Sequence, residues 1–280
     1  MSLVKTENIG SAAVGRVYTE FMPDLHCDPS APLHETSELL AVRPGVTISR
    51  CSFENAGGGR VTGYLVEPDG TPRAGVLYMH TTSGTEGFLP EAIALARSGG
   101  IGLCLQFQYV DDDQVAAIRR SVLALRRGAD LLLGRTDRVA GVGHSGGAMM
   151  MAVVAGLDQR FACFVLEVPM AGLTHHWRNT HHPEVARMRA SLPPELFERT
   201  LAEMAPYDAE HFIGDVRVPV LYQFARFDIG VTAAESEEFY AMAPQPKQQR
   251  WYDSGHVIND VAAYADRAEF LTEHLGLTRS

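Results

Sequence analysis

From residue 46 onward short apolar runs alternate with longer amphipathic ones, and no other feature narrows the fold as far. The runs 46–53 and 60–67 are β-branched and alternating, separated by Asn55, Ala56 and three glycines. That is the pattern of two strands joined by a turn. The stretch 75–80 is a compact apolar run, and 101–107, 138–142, 161–168, 218–224 and 248–252 read as further buried strands. Between them 89–97, 112–133 and 148–157 carry helical spacing. In 112–133 the apolar positions Val115, Ile118, Val122, Leu125 and Ala129 recur with a period near 3.6. Strands that alternate with helices predict one α/β domain, a mostly parallel central sheet with helices on both faces.

Two regions break the alternation. Residues 1–45 hold Pro23, Pro29, Pro32 and Pro44 without periodicity, and are expected as an extension packed on the core. Residues 170–212 are too long for a single crossover, and helical stretches near 184–191 and 195–204 predict a helical cap inserted into a domain spanning 46–280.

Charge and composition remove several function classes. Against 24 Lys and Arg stand 34 Asp and Glu, a formal net charge of −10, and phosphate contacts need a basic face, so no nucleic-acid partner is expected. The longest apolar stretch, 148–157, falls short of the roughly 20 residues of a membrane helix, and the first twenty residues lack the apolar core of a signal peptide. Four scattered cysteines show neither metal-ligand spacing nor a disulfide framework. These readings predict a cytoplasmic protein without a cofactor, a metal or a membrane partner, and leave a homo-oligomer open.

The chemistry concentrates in Gly143-His144-Ser145-Gly146-Gly147, a G-x-S-x-G between a strand pattern and a helix pattern. In that setting the serine sits on a sharp strand-to-helix turn with its hydroxyl above the sheet. A serine hydroxyl is a weak nucleophile until a base removes its proton, and the base needs an orienting acid. His256 lies in Tyr252-Asp253-Ser254-Gly255-His256, directly after the last strand. Asp228 lies in Ala225-Arg226-Phe227-Asp228, after the strand 218–224. Both occupy the carboxyl ends of strands, where open parallel sheets place their ligands. Glu167, near the end of the strand 161–168, competes with Asp228 as the acid.

These three stretches resemble the α/β-hydrolases, nearest the small serine esterases and the dienelactone-hydrolase-like or acyl-peptidase-like branch, over about residues 46–275. The resemblance implies Ser145 as nucleophile, His256 as base and Asp228 as orienter. True dienelactone hydrolases carry cysteine at the nucleophile position and epoxide hydrolases and haloalkane dehalogenases carry aspartate, so Ser145 points to acyl transfer, rather than alkyl displacement, on a carboxylic ester, lactone or thioester of a small molecule. The fold also hosts lyases, cyclases and carbon–carbon bond hydrolases, and a ligand-binding protein without catalysis is a third reading.

An oxyanion needs donors. The N–H of Gly146, at the start of a helix, is expected to be one. By position Thr82 supplies the second, with Thr81 or Ser83 as alternatives, because this chain has His80-Thr81 where the family has His-Gly. Alanine at 225 is a second departure, where the family has glycine three residues before the acid. His144, Thr81 and Trp177 are expected to meet substrate, with Met188, Leu192, Phe197 and Met204 giving the cap an apolar pocket. His175, His176, His181 and His182 fit no standard zinc pattern and are read as a cap loop. Asp111, Asp112 and Asp113 are read as the start of the helix that follows.

Overall fold

The computed structural model describes residues 23–81, 83–110, 113–180 and 182–277. One sheet contains β1 (Thr36–Arg43), β2 (Val46–Glu54), β3 (Arg60–Pro68), β4 (Gly75–His80), β5 (Ile101–Gln106), β6 (Val139–His144), β7 (Phe161–Glu167), β8 (Val220–Ala225) and β9 (Lys247–Tyr252). Their spatial order is β1-β2-β3-β5-β4-β6-β7-β8-β9. The joins from β1 through β3 to β5 are antiparallel, and every join from β5 to β9 is parallel. The helices are α1 (Leu89–Arg97), α2 (Gln114–Leu133), α3 (Gly146–Leu157), α4 (Leu173–Asn179), α5 (Pro183–Ser191), α6 (Pro194–Met204), α7 (Ala233–Met242) and α8 (Val261–Leu275).

The strand period of two sorts the core into layers. On β4, Val76 and Tyr78 pack with Ala92 and Leu95 of α1 and Phe270 and Leu271 of α8. Leu77 and Met79 face the other way, into Ile118 and Val122 of α2 and Met149 and Val153 of α3. A strand covered on both faces has no polar side, which is why β4 and β6 are buried at every residue. Each large apolar side chain buried this way contributes about 1.5–3 kcal/mol. Local signals set the helix ends. The Asp113 carboxylate accepts the Ala116 N–H at 2.8 Å to open α2, whereas Asp111 and Asp112 lie outside the described residues. Thr232 and Glu235 form a reciprocal capping box on α7.

Two expectations about the flanking regions change. Residues 36–43 are not a wrapping extension but an edge strand paired with β2. They carry no alternation because all but Ala41 are exposed, and the register slips between Leu39 and Ala41. Ahead of β1, the buried Arg127 guanidinium donates to the carbonyls of Asp28, Ala31 and Pro32 and to the Asp130 carboxylate, which fastens this segment to α2. In 170–212 the residues around His175 and Trp177 form α4 rather than a loop. Phe197, Leu201 and Met204 share one face of α6 and sink into the main core, so they support the cap instead of lining a pocket.

Candidate active site

At the carboxyl end of β6 the chain turns straight into α3, and Ser145 takes φ 57°, ψ −124°. A non-glycine residue there costs on the order of 1–3 kcal/mol and must be held by its surroundings. Ser145 N–H donates to the Glu167 carbonyl at 2.9 Å, and the Ser145 carbonyl accepts from Met149 N–H at 3.0 Å. The flanking glycines are steric requirements. A Cβ on Gly143 would stand 2.5 Å from the Gly147 carbonyl oxygen, and one on Gly147 would collide with the Met79 carbonyl.

His256 reaches this turn from the loop after β9. Its Nε2 accepts the Ser145 hydroxyl at 2.8 Å, and its Nδ1–H donates to Asp228 Oδ2 at 2.7 Å. The second carboxylate oxygen, Oδ1, accepts the N–H groups of Gly230 (2.7 Å) and Val231 (3.0 Å). Burial alone would raise the Asp228 pKa, but the hydrogen bond and charge of His256 and the two backbone donors hold it below the ordinary carboxylate value. The loops are knitted by Arg226 N–H to the Tyr252 carbonyl and Phe227 N–H to the Ser254 carbonyl, both at 3.0 Å. From the cap, the Thr180 hydroxyl donates to the Gly230 carbonyl at 3.1 Å.

Glu167 lies on the neighbouring strand but turns elsewhere. Its Oε1 is 2.8 Å from Arg267 Nη1, a charge contact without hydrogen-bond alignment. Arg267 grips Glu91 with two hydrogen bonds of 2.6 Å and donates to Gln223 Oε1 at 2.5 Å. Burial, opposed by Arg267 and reinforced by Glu91, pushes the Glu167 carboxyl well above its ordinary range. The triad geometry therefore runs through Asp228.

The other expected site residues divide. Gly146 opens α3, the positive end of the helix, and Thr82 lies outside the described residues. The Ser83 N–H is already given to His80 Nδ1 at 3.1 Å, which removes it as an oxyanion donor. The Thr81 hydroxyl accepts from Gly147 N–H at 2.7 Å and reaches the His144 carbonyl at 3.4 Å, so it braces the turn rather than meeting substrate. His144 is also corrected: only 2% exposed, its ring sits beneath the turn with Nε2 2.7 Å from the His256 carbonyl. Trp177 packs half-buried on the main core. Phe227, Ile229 and Val257, on the two loops that carry Asp228 and His256, are all more than 60% exposed.

In the cap, His175 Nε2 is 3.4 Å from Glu235 Oε1, while His176 and His182 keep a buried Nδ1 without a hydrogen bond. Burial pushes the His176 imidazole down to about 4, against the pull of Glu235. His181 lies outside the described residues, and among those described no group of three or more His, Cys, Asp or Glu is placed to hold a metal ion. A cavity of about 610 Å³ opens between α1 and α8, and none of Ser145, Asp228 and His256 lines it. Among the described residues no helix is long and apolar enough to cross a membrane.

Sequence reasoning missed His80 and Tyr109. The Tyr109 hydroxyl donates to the Thr81 carbonyl at 3.1 Å, and the His80 ring stacks on His144 with centroids 4.2 Å apart. The second contact had a signal, because both histidines end adjacent strands in register. The first had none, since it joins two loops.

Residues 112–278 match the prolyl oligopeptidase family. Among solved structures, the acetyl xylan esterase from Paenibacillus sp. R4 is 18% identical with a TM-score of 0.76, covering 96% of each chain. Acetyl xylan esterase 1 from Thermoanaerobacterium sp. JW/SL YS485 is 15% identical with a TM-score of 0.75, covering 93% of each. The Pyrococcus horikoshii acylaminoacyl peptidase, 13% identical with a TM-score of 0.62, aligns over 88% of this chain and 42% of its own. No curated protein matches the sequence. The fold is that of the α/β-hydrolases.

Proposed function

The chain belongs to the prolyl oligopeptidase family, and from that premise we propose that this serine hydrolase cleaves a carboxylic ester, lactone or thioester of a small molecule through an acyl-enzyme on Ser145. The observation that carries the reading is the unbroken line from Ser145 Oγ to His256 at 2.8 Å and on to Asp228 at 2.7 Å. Along it His256 takes the hydroxyl proton as Oγ attacks the carbonyl carbon, then returns it to the leaving oxygen or sulfur. Water, deprotonated by the same imidazole, releases the acid and restores the serine. Asp228 keeps the proton on Nδ1, leaving Nε2 free to accept, and stabilises the imidazolium. The N–H groups of Gly146 and Thr82 receive the oxyanion in this reading.

Two observations favour an ester over a peptide. The solved structures that match nearly end to end bear esterase names, whereas the peptidase aligns over less than half of itself. Phe227, Ile229 and Val257, exposed on the loops of Asp228 and His256, also suit an uncharged substrate. Turnover of p-nitrophenyl acetate by the wild type, with Ser145→Ala reduced by at least about a thousandfold, is the expected result. A Ser145→Ala variant keeping more than about a tenth of wild-type kcat would sink the mechanism.

A further inference from the structure

We propose that His144, the residue before the nucleophile, is a positioning residue that holds the His256 backbone so that its imidazole meets Ser145; this rests on the serine mechanism above. The contact is a hydrogen bond of 2.7 Å between His144 Nε2 and the His256 carbonyl. A carbonyl only accepts, so Nε2 carries the ring proton and Nδ1 is bare, in keeping with a buried Nδ1 that has no hydrogen bond. The neighbouring ring obeys the same logic. His80 Nδ1 accepts from Ser83 N–H, so its own proton lies on Nε2. The two neutral rings stack at 4.2 Å with 14° between their planes, and the His144 ring meets His256 edge-on at 5.2 Å.

Together these contacts make one braced unit. The loop after β4 is tied to His80, His80 lies on His144, and His144 holds the loop of the base. Thr81 locks the same unit to the turn through Gly147 N–H and the His144 carbonyl. Burial pushes His144 down to about 3 and His80 to about 4, so both stay uncharged near neutral pH. Uncharged rings matter here, because a cation at either place would oppose the imidazolium that His256 must become. The other support of His256, Asp228, acts on the ring; His144 acts on the main chain, so the two constraints are complementary.

The test compares His144→Leu, which has no donor, with His144→Gln, whose amide can bring an N–H to about the same place. The expected result is a fall in kcat of about 30- to 100-fold for His144→Leu with KM changed by less than about threefold, since a small misplacement of a reacting group costs that much. His144→Gln should recover most of the loss at a similar Tm. The rate of Ser145 phosphonylation by a fluorophosphonate should fall in parallel for His144→Leu. If the wild type itself is not labelled at Ser145, the serine reading fails. If it is labelled and His144→Leu reacts at the wild-type rate, or both variants lose equally, the positioning role fails while the serine reading stands. Should His144→Leu not fold, ¹⁵N NMR of histidine-labelled wild type decides: a His144 proton on Nε2 supports the bond, and one on Nδ1 overturns it.

Discussion

Asp228 and Glu167 are both buried carboxyl groups at the carboxyl ends of neighbouring strands, and their surroundings give them opposite characters. Asp228 stands three residues beyond β8, in a loop free to bend its own N–H groups back onto Oδ1 and to present Oδ2 to His256. Glu167 is the last residue of β7, so the strand's pleat decides where it points, and it points at the Arg267 guanidinium. One is held ionised by three hydrogen bonds. The other shares a single guanidinium with Glu91, leaves Oε1 without a hydrogen bond and is pushed toward its neutral form. Position in the fold supplied two candidate acids; backbone freedom chose between them.

The hardest blow to this contrast is aimed at Asp228. Asp228→Asn keeps the shape but removes the charge and favours the wrong imidazole tautomer, so kcat should fall by about ten-thousandfold. Steady-state kinetics on p-nitrophenyl acetate measures it. A loss below about tenfold would mean that His256 is oriented by something else.

Arg267 strikes at the Glu167 side, and there the cost should be stability. Arg267 is 2% exposed, and deleting one member of a buried ionic group leaves the rest uncompensated, at about 3–5 kcal/mol. Arg267→Met should lower the urea midpoint accordingly while the folded fraction keeps its kcat. Adding Glu91→Gln and Glu167→Gln should restore part of the loss, because no buried carboxylate then lacks its cation. An unchanged midpoint would show that the ionic cluster carries no net stability.

Much of this was legible in the sequence, and what was not follows a pattern. The central strands and the Ser145, Asp228 and His256 stretches could be read because each is a local signal: an apolar run, a steric glycine pair, a loop after a strand. β1 could not, since an edge strand exposed on both faces carries no alternation. The preference for Asp228 over Glu167 was legible too, because Asp228 lies in a loop beyond its strand; the Arg267 that Glu167 faces, on α8 a hundred residues away in the chain, was not. His144 was read as facing substrate because it adjoins the serine. Only the register of β4 with β6 shows that its ring is sandwiched between His80 and the base loop.

The two sites should also answer pH with opposite signs. His80 and His144 have folded pKa values depressed below 6.5, to about 4 and about 3, by burial first and then by neighbouring imidazoles. The unfolded chain protonates first as pH falls, so their stability is complete above about pH 6.5 and is lost on the way down through those values. By pH 4.5 the loss from His144 alone is about 3 kcal/mol. Asp228 adds a loss of the same sign at lower pH, its folded value being depressed as well. The expected result is a Tm that drops steeply between about pH 6.5 and 4, with a shallower slope in His144→Gln. Equal slopes would mean that the ring is not buried neutral.

Glu167→Gln should have the smallest effect of all, and its sign is the informative part. Glutamine keeps the shape, so kcat should stay within about threefold of wild type; a thousandfold loss would move the orienting role from Asp228 to Glu167. The folded pKa of Glu167 is raised, chiefly by burial, above the 4.5 of an ordinary glutamate. Such a group contributes stability that is complete below the unfolded value and is lost as pH rises through the folded one. In the wild type, therefore, ionisation of the unfolded chain erodes stability between about pH 5 and pH 8, whereas a permanently neutral glutamine has nothing to lose over that range. The Tm of Glu167→Gln relative to wild type should rise from pH 5 to pH 8. A difference that stays constant, or reverses, would show that Arg267 holds Glu167 fully ionised, and the contrast with Asp228 would then be one of direction alone.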